Sequence, residues 1–174
     1  MKFITQLQNY IPYNEQEKAD KELILQYIDM FEDVLTRENK LCHFTASNWI
    51  VNKERTKILM AYHNIYKSWA WTGGHADGDE DLCQVALKEA KEETGLTLTS
   101  WKCRGVVTFL TNEPYDGEFM YLFTCDGFEG TLKTCDEGDL QWVSRDFLDS
   151  LPGGLEPWRS NWDDRCACVP GEEE

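Results

Sequence analysis

A bilayer-spanning helix needs about 20 consecutive apolar residues, and this chain has no such run. Its opening stretch, MKFITQLQNYIPYNEQEK, also lacks the apolar core and cleavage pattern of a secretory signal, so a cytoplasmic setting is expected. Histidine is scarce, with only His43, His63 and His75, and that scarcity argues against a zinc site of several imidazoles. The seven cysteines are odd in number and form no Cys-x-x-Cys pair, so neither a disulfide framework nor a cysteine zinc site is indicated. Cys166 and Cys168 make the one close pair. Basic residues are few as well: 17 against 32 acidic ones, a formal net charge of -15. Such a surface repels nucleic-acid polymers, whose binding rests on neutralising backbone phosphates. A small phosphorylated substrate that arrives with its own divalent cations remains compatible, because surplus carboxylates can converge on metal.

The 174 residues are enough for one domain with a modest extension, and 41% of them are apolar, so a real core can be buried. Residues 15–36 predict an amphipathic helix, with Leu23, Tyr27, Phe31 and Leu35 at fourfold spacing beside Ile24, Ile28 and Val34. It is expected to pack on its own domain, with homodimer formation as the alternative. HFTASNWIVN (43–52) and TKILMAYH (56–63) flank the polar Lys53-Glu54-Arg55 and predict a hairpin. A short strand over 67–72 runs into Gly73-Gly74, and strands at 104–110 and 118–125 follow a helix at about 81–94. A last short strand near 139–143 leads into a helical turn at 145–150. The order predicts a mixed α/β (α+β) layer fold without regular β-α-β alternation. No internal repeat is present, and the tail after Pro152 shows no clean period, though Trp158 and Trp162 offer apolar anchors for docking it back.

The informative stretch is GGHADGDEDLCQVALKEAKEETGL, residues 73–96. It is a tight glycine turn, an acidic loop and a helix. Asp81 and Gln84 make a capping-box start, Gly95 suits a C-terminal stop, and Leu82, Val85, Ala86 and Ala90 mark the buried stripe. Glu89, Glu92 and Glu93 stand at i, i+3 and i+4, neighbouring positions on one face. Like charges at that spacing cost a helix roughly 0.2–0.5 kcal/mol per pair. They also lie near its C-terminal end, where the dipole disfavours anions. Hard divalent cations would compensate. Three glutamates alone also describe an ordinary solvated face; the surrounding pattern decides between the two.

The spacing Gly74, Glu80, Glu89, Glu92, Glu93, Gly95, Leu96 matches the Nudix box, and the chain resembles Nudix hydrolases over about residues 43–150. Two positions depart from the family pattern: Lys88 stands where arginine is usual, and Thr72 where many members have proline. Lysine keeps the charge but loses the bidentate fork. The resemblance implies an α/β/α sandwich with a mixed sheet, here with an added N-terminal helix. It divides the chain into a helical extension (1–40), a Nudix domain (41–155) and a weakly structured acidic tail (156–174). It further implies Mg²⁺, with Mn²⁺ as a substitute, held by Glu89 and Glu93 with Glu92 assisting and the Gly73 carbonyl as backbone ligand. Glu80 would brace the loop and Lys88 would orient the glutamates. Glu137, in the acidic run Cys135–Asp139, is the expected extra base or ligand, with a plain acidic turn as the alternative.

The part from Leu96 to Arg145 resembles MutT-like members that hydrolyse nucleoside triphosphates, including oxidised purine ones, whereas the part before the box is more similar to Nudix proteins of unassigned substrate. The first expectation is therefore hydrolysis of a (d)NTP or oxidised purine triphosphate to monophosphate and pyrophosphate. The alternatives are an ADP-ribose or other nucleotide-sugar pyrophosphatase and a non-catalytic Nudix-fold nucleotide-binding module. Pro114 and Tyr115 read as turn residues. Trp71 and Trp142, with Trp69 and Phe109, are candidates for stacking a base or for ordinary packing, and His63 and Lys67 are candidates for meeting a phosphate. The expected partner is a small nucleotide-type molecule, with neither a nucleic-acid polymer nor a membrane involved.

Overall fold

The structure, a computed structural model, describes residues 2–64, 67–110, 117–134 and 138–151. Glu137, Pro114, Tyr115, Trp158, Trp162, Cys166 and Cys168 lie outside the described residues, as does the tail over 156–174, and the Phe109 side chain is not described.

Two helices open the chain, α1 (Lys2–Asn9) and α2 (Glu15–Met30). Asn14 caps α2 by accepting from the Glu17 N–H at 2.9 Å, and Glu17 reaches back to the Tyr13 N–H at 2.6 Å. This reciprocal pair satisfies orphan donors at the helix start. The helix ends at Met30, short of the expected Thr36, because Phe31 is already extended. Asn39 organises the connection from α2 to the first strand: its Oδ1 accepts from Tyr27 at 2.8 Å and from the Cys42 N–H at 3.3 Å, while its Nδ2 donates to Asp33 at 2.9 Å. The inward side of α2 also differs from the expected stripe. Ile24 is buried and Leu23 is 55% exposed.

The strands are β1 (His43–Ile50), β2 (Lys57–His63), β3 (Ser68–Ala70), β4 (Thr72–His75), β5 (Thr97–Leu110), β6 (Gly117–Glu129) and β7 (Gly138–Ser144). Helix α3 (Leu82–Thr94) lies between β4 and β5, and α4 (Arg145–Asp149) follows β7. They build a four-stranded mixed sheet, ordered β4-β1-β6-β5, and a three-stranded sheet, ordered β3-β2-β7. Within the first, β1 runs antiparallel to β4 and parallel to β6.

This topology corrects the expected hairpin. The turn at Lys53–Arg55 exists, with the Arg55 N–H donating to the Asn52 carbonyl at 2.8 Å. Yet β1 and β2 enter different sheets and share only the bridge Val51↔Ile58. Both strands bury residues on two faces, and β1 is buried at every position. A strand covered on both sides carries no alternation from which its neighbours can be read.

The four-stranded sheet therefore has two apolar faces. On one, Phe44, Ala46, Ile50, Phe119, Tyr121 and Phe123 pack with α3 and with Phe3, Leu7 and Ile24 of the first two helices. Phe3 and Phe44 are fully buried, their ring centroids 4.9 Å apart, and burying each stabilises the fold by about 1.5–3 kcal/mol. On the other face Trp49, Val51, Met120 and Leu122 meet Ile58, Met60, Val143 and Leu148. No described helix is long and apolar enough to cross a membrane.

Candidate functional site

The acidic helix is fixed at both ends by its own sequence. Asp81 accepts from the Gln84 N–H at 3.3 Å. Gly95, at φ +80°, takes the left-handed turn that ends α3, and its N–H reaches the Lys91 carbonyl. A side chain there would also strike the Thr131 carbonyl at 2.9 Å. Leu82, Val85, Ala86, Ala90 and Thr94 are buried, and Asn48 of β1 ties the helix to the sheet by donating to the Ala86 carbonyl at 2.6 Å.

This seating separates the glutamates. Glu89 and Glu93, one turn apart, are half-buried, whereas Glu92 is exposed. Glu92 faces the exposed Lys88 at 4.0 Å, a pair worth no more than about 0.5 kcal/mol. The loop before the helix is held by Arg37, which donates twice to Asp77 at 2.8 Å each. That guanidinium holds the Asp77 carboxyl below its usual range.

The glycine pair explains where Glu89 lies. A β-carbon on Gly74 would fall 2.6 Å from Glu89 Cδ and 2.9 Å from its Oε1. Residue 74 must lack a side chain for that carboxylate to rest against the strand. Gly73 is as tightly placed on the other side, with the Ala46 carbonyl 2.7 Å from where a β-carbon would stand. The Glu89 carboxylate and a glycine backbone thus meet at one edge of the sheet, with Glu93 one helical turn further along α3.

The NUDIX domain family model matches residues 43–166. The chain belongs to the Nudix family. Among curated Nudix relatives, the uncharacterised Nudix hydrolase YvcI of Bacillus subtilis (strain 168) is 29% identical over 103 residues, covering 55% of this chain and 63% of that protein. A CMP-5'-(N-acetyl-N-hydroxy-3-aminopropyl)phosphonate hydrolase of Streptomyces rubellomurinus (strain ATCC 31215) is 31% identical over 107 residues, 56% of this chain and 50% of its own length. The chain thus spans between half and two thirds of the curated relatives it matches. The mutator MutT protein of Bacillus halodurans has a TM-score of 0.57 at 21% identity, covering 72% of this chain and 82% of that one. The MutT Nudix hydrolase of Burkholderia pseudomallei gives 0.57 at 20%, covering 70% and 95%. At these identities the likeness is one of fold.

Within the Nudix fold, the remaining candidates are spread out. Glu80 is exposed in the loop ahead of α3. Trp71 packs against the second apolar cluster, its ring 6.3 Å from Trp49. Trp142 packs against the first and stacks on Phe128 at 5.6 Å. His63 ends β2 in the three-stranded sheet, opposite Ser68 and Gly138. Arg37, Asp77 and Glu118 were not foreseen from the sequence. Their role depends on sheet register and loop contact, which no local spacing reveals.

Proposed function

We propose that the protein is a divalent-cation-dependent Nudix hydrolase that cleaves the diphosphate linkage of a small nucleotide, in the first instance a nucleoside triphosphate of the (d)NTP or oxidised purine type, to a monophosphate and pyrophosphate. The observation that carries this reading is the half-buried pair Glu89 and Glu93, with Glu89 lying against Gly74 beside the Gly73 carbonyl. All donors there are oxygens, the set that Mg²⁺ takes. Glu89, Glu93 and the Gly73 carbonyl would hold the ion, with Glu92 assisting from the exposed side. A bound ion supplies charge neutralisation at the phosphates and acidifies water.

The chain's own residues contribute placement. The caps of α3 and the Asn48 bond keep the two carboxylates at a fixed height over the sheet. Lys88 holds Glu92 outward by their weak pair. The net charge of -15 favours a substrate that brings cations with it over a polyanionic polymer. The oxidised-purine preference rests on the MutT-like second half of the sequence.

The test is a panel of (d)NTPs, 8-oxo-dGTP, ADP-ribose, dinucleoside polyphosphates and a CMP-linked phosphonate, each with Mg²⁺ or Mn²⁺. Turnover of a triphosphate to monophosphate and pyrophosphate, abolished by EDTA, is expected. Preference for ADP-ribose or a nucleotide sugar would move the substrate class. Ligand binding by calorimetry without any product after long incubation would make the protein a nucleotide-binding module instead.

A further inference from the structure

Residues alternate across β4, so the neighbours of Gly74 point away from α3. On that far face His43, His75 and Glu118 converge, one ligand atom of each lying within 4.8 Å of the other two. The register produces this meeting. His43 is the direct partner of Glu118 across the parallel β1–β6 pair, and Thr45↔His75 sets His75 diagonal to His43. His43 Nε2 and His75 Nδ1 are 2.8 Å apart with their rings stacked. One proton serves that contact, so one of the two nitrogens presents a lone pair.

His43 is 8% exposed; its Nε2 faces His75, and its other ring nitrogen, Nδ1, is buried with no hydrogen-bond partner. Glu118 is oriented by Thr45, whose Oγ1 donates to its Oε2 at 3.3 Å. The set also carries little charge of its own: one carboxylate and two imidazoles, with Arg37 nearby and already paired to Asp77. A hard ion such as Mg²⁺ prefers an all-oxygen set, whereas two imidazoles and a carboxylate suit a borderline ion and leave a fourth position open.

We propose that His43, His75 and Glu118 form a binding site for a transition ion of the Zn²⁺ class, distinct from the carboxylates of α3. Around a tetrahedral ion with bonds of about 2.0–2.1 Å, ligand atoms stand roughly 3.4 Å apart. The two ring nitrogens therefore open slightly and the carboxylate closes in, by side-chain rotation on a rigid sheet. The ion ties β4, β1 and β6 together one residue from the glycine pair. Two of the three histidines fall in one place. The proposal does not rest on the hydrolase reading.

The experiment titrates Zn²⁺, then Co²⁺, into the metal-free full-length chain, following heat and cobalt absorption. One site per chain with a tetrahedral cobalt spectrum is expected. It should persist in the Glu89→Gln/Glu93→Gln double variant and weaken by ~10²-fold or more in Glu118→Gln and His75→Gln. Histidine ring ¹⁵N resonances of the unaltered protein give a readout that needs no variant: those of His43 and His75 should move with Zn²⁺ while His63 stays. Binding that is lost in the double variant overturns the proposal, as does binding unchanged in Glu118→Gln and His75→Gln, or Zn²⁺ uptake that leaves both rings unshifted.

Discussion

The two faces of the sheet at Gly73–His75 carry two groups of ionisable side chains built by opposite means. On the α3 side, Glu89, Glu92 and Glu93 fall within five consecutive residues, and one helix carries all three. On the far side, His43, His75 and Glu118 come from three strands and meet only through pairing register. The first group is all oxygen and partly open to water; the second is mixed in donor type and includes a buried ring. Helical spacing gathers charge that must tolerate its own repulsion, which suits an ion bound with its substrate. Sheet register gathers groups that can be desolvated, which suits an ion that stays.

The strongest way to break this comparison is to remove charge on the helix side. Glu89→Gln or Glu93→Gln should lower kcat on the order of 10²-fold or more, because the ion's charge stabilisation goes with the ligand. The metal-free fold should hold or gain slightly, since like-charge repulsion of roughly 0.2–0.5 kcal/mol per pair is relieved. Glu129→Gln, outside the box, is the control and should leave the rate unchanged. Near wild-type turnover by both box variants at saturating Mg²⁺ would remove the metal assignment.

A smaller effect is expected at the divider itself. Gly74→Ala puts a methyl where the Glu89 carboxylate lies, so the end of that flexible side chain must move aside, at little cost to the fold. Turnover should fall because the Glu89 carboxylate is displaced, while denaturant midpoints stay close to wild type and Zn²⁺ binding on the far face is kept. Loss of both activities together would mean that the two groups are not independent.

The smallest effect concerns a plain structural pair in the same sheet. Burial alone would raise the Asp126 carboxyl, but hydrogen bonds from Arg55 and Ser100 outweigh it and hold it below the usual range. The folded state therefore releases this proton at lower pH than the unfolded chain does. Its stabilisation is full above the ordinary aspartate range and is lost as pH falls through the depressed value. The pair is about one third exposed, so Asp126→Asn should cost roughly 1 kcal/mol or less at neutral pH. It should also flatten the acid limb of stability against pH, measured by thermal melts.

How much the sequence disclosed depends on the range of the forces involved. Helix α3 was legible to within a residue because Asp81, Gly95 and the stripe Leu82–Ala90 act within a few positions of one another. Most strands were found, but the single strand expected over 67–72 is two, β3 and β4, in different sheets, and Gly73-Gly74, expected to be a tight turn, lies within β4. Strand β5 runs longer than the apolar run at 104–110 that announced it. The partnering of β1 was not legible, because Lys53–Arg55 specifies a turn and not which sheet the next strand joins. Helix α1 went unread: eight residues give too short a window for periodicity. Leu23 looked equivalent to Ile24 until the docking of α2 chose between them. Glu118 gave no signal at all, since only its pairing with residue 43 gives it neighbours of consequence.

The parallel pairing of β1 with β6 also sets a timetable. Residues 43–50 find their partner only at 118–125, and the antiparallel neighbour β4 lies closer, at 72–75. A chain emerging from the ribosome can close β1 on β4 early and seat α3 on both, but the centre of the sheet stays open until β6 has been made. Until then, one whole edge of β1, buried at every position in the finished fold, is without its strand. The Phe3 carbonyl of α1 likewise waits for the Tyr121 hydroxyl that donates to it. Pairings this far apart in sequence slow folding toward the millisecond-to-second range. During synthesis the exposed edge is the part of the chain most in need of protection from other chains.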